Sequence, residues 1–121
     1  MLELKDLTSY IISVSLSDTV WEMVSTWDWF NKKTLGVQFV NSIDSIGGNI
    51  AEGFGRFHKK DKIKFYFNAR GSVLEAIHWL DRAKMRKLIS LKDFDDMKLE
   101  LKKLPREINN LISLTNRNLK K

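Results

Sequence analysis

Residues 90–111 read SLKDFDDMKLELKKLPREINNL, and their apolar side chains keep a helical spacing throughout. Phe94, Met97, Leu101, Leu104, Ile108 and Leu111 stand three, four, three, four and three residues apart. That period places all six on one face of an α-helix, with charged residues filling the other faces. Ser90 is a good N-cap, and Asp93 occupies the capping-box position with the shorter acid. Pro105 interrupts the stripe and is expected to kink the helix or remove one backbone hydrogen bond. A stripe of this length needs other apolar faces to cover it.

Reading toward the N-terminus supplies three more. A third helix is expected from about residue 59 to 88, with Ile63, Tyr66, Val73, Ile77 and Leu80 on one face. A second is expected from Thr34, taken as its N-cap, to Gly55, with a stripe of Val40, Ile43, Ile46, Ile50 and Phe54. The first runs from about residue 7 to 29, with Leu4, Leu7, Ile11, Val14 and Trp21 on its stripe and Asp18 among them. The break between first and second falls near Asn31-Lys32-Lys33. No strand-like alternation competes. The expected fold is all-α: one domain over residues 1–121, an antiparallel up-down-up-down four-helix bundle.

Composition agrees. The chain has 121 residues, 43% of them hydrophobic, so a packed core is within reach. It has one Pro and six Gly, too few for a turn-rich β-sandwich. It has no cysteine, which excludes disulfides, zinc–thiolate sites, iron–sulfur clusters and thiol catalysis. No apolar run approaches the ~20 residues a membrane span needs. The first ten residues, MLELKDLTSY, do not resemble a secretory signal, and a cytoplasmic location is expected.

Charge is unevenly placed. The net charge is +6, but residues 1–55 hold three bases and seven acids, net −4, and residues 56–121 hold eighteen bases and eight acids, net +10. An anionic partner for the second half would account for this, as would an acidic face meeting a basic one in an oligomer.

Two catalytic-looking motifs fail on inspection. Gly48-Asn-Ile-Ala-Glu-Gly53 has the glycine spacing of a phosphate-binding loop, but Phe54 stands where the Lys must be. Glu75-Ala-Ile-His78 has the spacing of a di-iron bundle, which needs a second such motif. The other histidine, His58, follows Gly55 at that distance instead of Glu. The chain is read as non-catalytic, with no metal site and no cofactor.

Small residues recur on two helices. Gly47, Ala51 and Gly55 repeat every four residues, and Ala69, Ala76 and Ala83 every seven. The alanines are read as a second apolar face of the third helix, contacting another subunit. Homo-oligomerisation is therefore expected, with either strip at or near the contact. Arg70 falls on the core stripe and is expected to be buried against an acid, with Asp18 and Glu52 as candidates. Orphaning it would destabilise by roughly 3–5 kcal/mol. Glu52 also stands at i,i+4 from Arg56.

The third helix carries the basic signal. Lys60, Lys64, Arg82 and Arg86 project to one side, Lys59 and Lys62 spread around it, and Arg56 precedes it. These residues are the candidate nucleic-acid contacts through phosphate. Phe57 and Phe65 interleave with them and are read as packing residues.

At NIAEGFGR (residues 49–56) and KKDKIKFYFNARGSVLE (residues 59–75) the chain resembles the four-helix-bundle family encoded by intervening sequences inside bacterial 23S rRNA genes. That family shows Asn-Ile-x-Glu-Gly-x-Gly-Arg, a basic stretch, then Phe-x-x-x-Ala-x-Gly-Ser-x-x-Glu. These map onto Asn49, Ile50, Glu52, Gly53, Gly55 and Arg56, then Phe65, Ala69, Gly71, Ser72 and Glu75. The resemblance is strongest over residues 38–88. With Arg70, the motif residues are candidate structural or interface positions. The resemblance implies a pentameric ring, no catalysis, and an association with RNA or other nucleic acid. A related branch, the accessory protein of diversity-generating retroelements, implies the alternative of a protein-binding factor that partners a reverse transcriptase. The chain departs from the family where a basic pair often follows a Gln on the second helix; here Val40 and Asn41 follow Gln38. It also has Gly47 where Pro is frequent. Nucleic-acid contact is therefore expected from Arg56 onward and not from the second helix.

Overall fold

The computed structural model describes residues 1–118. Among them are four long α-helices and no strand. A 3₁₀ turn at Leu4–Asp6 leads into α1 (Thr8–Ser25). A helical turn at Trp29–Asn31 and a π-helical turn at Lys32–Gly36 run unbroken into α2 (Val37–Gly55). Helices α3 (Lys59–Met85) and α4 (Leu91–Asn118) follow.

Helix α4 matches its sequence pattern. All six stripe residues from Phe94 to Leu111 are buried. The Asp93 N–H donates to Ser90 Oγ at 3.1 Å, the expected cap. Pro105 sits inside the helix without ending it. On α2, Ile43, Ile46 and Ile50 are fully buried, joined by Phe39 from beside the expected stripe.

The helix 1–2 junction differs from expectation. The chain breaks at Thr26–Asp28, earlier than Asn31–Lys33. Asp28 is the cap, its Oδ1 accepting the Asn31 N–H at 2.9 Å. A carboxylate is a strong N-cap and also meets the positive end of the helix dipole, so the helix starts at the first such residue after the break. Thr34 does not cap; its hydroxyl donates back to the Phe30 carbonyl at 2.7 Å.

The expected α1 stripe holds at Leu7, which is buried, and is corrected beyond it. Ile11, Val14 and Trp21 lie outside, Trp21 at 66% exposure, and Asp18 is exposed beside them. The buried face is Ser9, Ser13, Leu16, Val20 and Val24. The small serines let α2 approach closely: a Cβ on Gly47 would stand 3.1 Å from Ser13 Oγ. The buried Ser13 hydroxyl is satisfied by the Tyr10 carbonyl at 2.8 Å, so this face carries no unpaired donor there.

Helix α3 has one buried face, not two. Tyr66, Ala69, Val73, Ala76, Leu80 and Ala83 follow one another at helical spacing, and all are buried. Ala69, Ala76 and Ala83 are 0% exposed and belong to the chain's own core, not to a second apolar face. Large and small residues alternate along this face, which lets facing layers interdigitate. Helices α2 and α3 form the most extensively packed pair.

Candidate nucleic-acid interface

The basic stretch begins where α2 ends. Gly55 is the last residue of α2, and Arg56 and His58 are both extended, so the connection into α3 takes only three residues. Gly53 makes this tight packing possible. A Cβ there would lie 2.7 Å from Tyr66 Cε1 and 3.0 Å from the Lys62 carbonyl, a distance only glycine tolerates. Tyr66 is 1% exposed, and burial pushes its phenol up to about 12.

Lys62 is a structural residue of this turn, not a free cation. Its ammonium donates to the Phe54 carbonyl at 2.6 Å and stands 5.5 Å from the Phe54 ring centroid. It thereby satisfies one of the carbonyls left open at the end of α2 and meets the negative end of that helix. Burial pulls its pKa below the usual lysine value.

Arg56 is also engaged. Its Nε lies 3.1 Å from Glu52, the i,i+4 pairing, and its guanidinium sits 4.7 Å over the Phe65 ring. Nearly half of its side-chain surface still faces solvent. Lys60 and Lys64 are exposed and Lys59 is half-exposed; among the described residues none of the three has an ion-pair partner. Phe57 is 88% exposed, which corrects its reading as a packing residue. Its position in the turn, outside either helical stripe, was the available signal.

Arg82 and Arg86 are exposed at the other end of α3. With a rise of about 1.5 Å per residue, they lie roughly 33 Å from Lys60 and Lys64. The basic set therefore forms two clusters, and the compact one is at the α2–α3 turn.

The remaining motif positions have local roles. Asn49 donates to the Ser45 carbonyl at 2.8 Å. Glu75 accepts from Trp79 Nε1 at 3.4 Å, and Ser72 is half-buried. Gly48, Gly55 and Gly71 have open space where a Cβ would be. Arg70 is half-buried and pairs with neither Asp18 nor Glu52. It donates to Asn109 Oδ1 at 2.6 Å and stacks 4.9 Å over the Phe67 ring. Its place at the margin of the buried face leaves the guanidinium partly hydrated, so no carboxylate is needed. A shallow groove beside α2 is lined by Asp44, Asn49, Glu52 and Phe65. Its two carboxylates suit a polyanion poorly.

Among the described residues, no three His, Cys, Asp or Glu side chains gather as a metal site. No helix there is long and apolar enough to cross a membrane. His78 is exposed and packs edge-on against Trp79 at 4.6 Å.

The model of the family described as 23S rRNA-intervening sequence protein matches residues 5–110, well beyond the stretch that carries the motif. A crystal structure of a protein with unknown function from the S23 ribosomal protein family of Bacteroides thetaiotaomicron superposes with a TM-score of 0.77. It shares 16% identity, with 87% of this chain and 98% of that chain covered, a likeness that shows the fold. No curated protein matches the chain.

Proposed function

This chain belongs to the 23S rRNA-intervening sequence protein family, and from that membership we propose that it is a non-catalytic, RNA-associated bundle that holds phosphates at its α2–α3 turn. The observation that carries the reading is the exposure of Lys60 and Lys64, unpaired among the described residues, beside a turn that Lys62 and Tyr66 hold in place. The contact set is Arg56, Lys59, Lys60 and Lys64, with Arg82 and Arg86 as a second cluster. The reading takes the helices as an antiparallel up-down-up-down bundle, which the short connections at residues 56–58 and 86–90 favour.

Self-association, as a pentamer, is part of the same proposal. The small-residue strip of α3 no longer supports it. The exposed apolar stripe of Ile11, Val14 and Trp21 on α1, with Val37 of α2 at 47% exposure, takes its place. Repetition of the basic turn around a ring would multiply a weak contact through avidity. Sedimentation at micromolar concentration is expected to show an assembly that Trp21→Lys weakens. A monomeric parent chain overturns this part.

A filter-binding titration tests the nucleic-acid part. Affinity should fall with salt, with a log–log slope of about −0.7 to −0.9 per phosphate contacted. Reversing Lys60 and Lys64 to Glu should flatten that slope and weaken all sequences alike. No retention of RNA or DNA at low salt, or retention indifferent to the double reversal, overturns it. The basic turn would then be a docking surface for an acidic protein partner, such as a reverse transcriptase.

A further inference from the structure

We infer that the α2–α3 turn selects unpaired over duplex nucleic acid, with Phe57 stacking on a base while Lys60 and Lys64 hold the neighbouring phosphates. This rests on the proposed nucleic-acid reading and adds the substrate class.

Phe57 is 88% exposed, and no core element covers it. Among the described residues its one aromatic neighbour is His58, at 5.1 Å between centroids with the ring planes at 89°. In that edge-to-face arrangement at most one face of Phe57 is occupied, so at least one face is open to solvent. Two other aromatics of this region already carry a cation on one face. Phe65 is half-buried beneath the Arg56 guanidinium at 4.7 Å, and Phe67 lies beneath that of Arg70 at 4.9 Å. Among the described residues Phe57 is the most exposed phenylalanine, and it stands inside the basic turn, between Arg56 and Lys59-Lys60.

The chemistry of the ring sets the substrate class. A phenyl face offers no hydrogen bond and reads no base edge, but it stacks on any base whose own face is free. In a duplex both faces of each internal base are already stacked. A single strand presents open faces together with a phosphate at each step. Duplex affinity should then come from the lysines alone, and single-strand affinity from the lysines and Phe57 together.

Fluorescence anisotropy decides this with a labelled pyrimidine-rich single strand and its duplex, at one salt concentration, using the full chain. Phe57→Ala should weaken single-strand binding about 5- to 150-fold, the loss of one stacked base. Its salt slope should be unchanged, because no phosphate contact is removed, and duplex affinity should not move. Phe57→Trp should retain binding, and its fluorescence should be quenched by the single strand and not by the duplex. Equal losses on both substrates, or no loss with Phe57→Ala, overturn the inference while leaving the lysine contacts standing. A changed sedimentation coefficient for Phe57→Ala also overturns it and assigns Phe57 to a subunit contact. If the parent chain retains neither substrate at low salt, this inference and the proposed function fall together.

Discussion

Replacing Gly53 by Ala should destabilise the fold, although the same exchange stabilises most helix positions. The added Cβ would meet Tyr66 Cε1 at 2.7 Å, Tyr66 Cδ1 at 2.9 Å and the Lys62 carbonyl at 3.0 Å. The first of these is about 0.7 Å inside the closest ordinary contact of 3.4 Å. None of the three can give way cheaply. Tyr66 is buried and the carbonyl is helix backbone, so α2 and α3 must separate where Gly53 faces Tyr66. Overpacking of this kind costs about 1–3 kcal/mol. The helical preference of Ala over Gly returns about 0.5–1 kcal/mol. Midpoint against midpoint, the net expectation is a loss of about 1 kcal/mol. Gly48→Ala is the internal control: nothing lies within 4 Å of its Cβ position, so only the favourable part remains, a gain of about 0.5–1 kcal/mol. Urea unfolding should place the two midpoints on opposite sides of the parent, with unchanged m-values. Tyr66→Phe should not rescue Gly53→Ala, because the clash is with ring carbons and not the hydroxyl. A Gly53→Ala variant as stable as the parent, or a ranking in which it exceeds Gly48→Ala, would refute the packing argument.

Tyr66 makes stability fall in alkali. Its folded pKa is about 12 against an ordinary 10.0, so the folded chain keeps a proton that the unfolded chain has released. Stability is lost as pH rises from about 10 to 12, by about 2–3 kcal/mol at the upper end. Tyr66→Phe, with no such proton, should lose less across that window, and parallel stability curves for parent and variant would contradict this. Lys87→Gly should stabilise. Lys87 has a left-handed φ of 59°, just past α3, where the Leu88 N–H reaches the Ala83 carbonyl at 2.9 Å in a Schellman cap. Glycine removes a steric penalty of about 1 kcal/mol, or a few degrees in thermal midpoint, and an unchanged midpoint would argue against strain there. Ala76→Arg should abolish folding instead of merely dissociating an oligomer, because Ala76 is 0% exposed within the subunit; a folded monomer by circular dichroism and sedimentation would contradict this.

The four helices were legible because three of them obey one rule. On α2, α3 and α4 the residues at helical spacing include large aliphatics, and those are the ones found in the core. Helix α1 breaks the rule. Its bulky stripe of Ile11, Val14 and Trp21 is the outer face, while its inner face joins Leu16, Val20 and Val24 to the small Ser9 and Ser13. Hydrophobic periodicity looks for transfer energy, but a close helix contact is also made by small side chains, such as Ser13, whose hydroxyl is satisfied locally. The same blindness separated Ala69, Ala76 and Ala83 from the face they share with Tyr66, Val73 and Leu80. On α3, spacing was right and side-chain size misled. At the candidate site, cations were visible as residue types, but their partners were not. Nothing local in the sequence distinguishes Lys62, spent on the Phe54 carbonyl, from Lys60 and Lys64, which have no ion-pair partner among the described residues.

The turn that carries the candidate site is also closely built, and the two facts are connected. A loop that must be ordered on binding loses part of its contact energy to entropy, at about 0.5–1.5 kcal/mol for each immobilised side chain. Here the turn is ordered by residues outside the proposed contact set. Gly53 lets Tyr66 into the gap, Lys62 closes the end of α2, and Glu52 holds Arg56 over Phe65. Only three residues then join the helices, so Phe57, Lys60 and Lys64 are carried on a short, supported frame. Loosening that frame should therefore weaken binding even where every cation and Phe57 are retained. Gly53→Ala separates the two contributions. If the folded variant binds the single strand as tightly as the parent, the frame serves stability alone. If affinity falls while the salt slope holds, the same charges are still in contact but are presented less well.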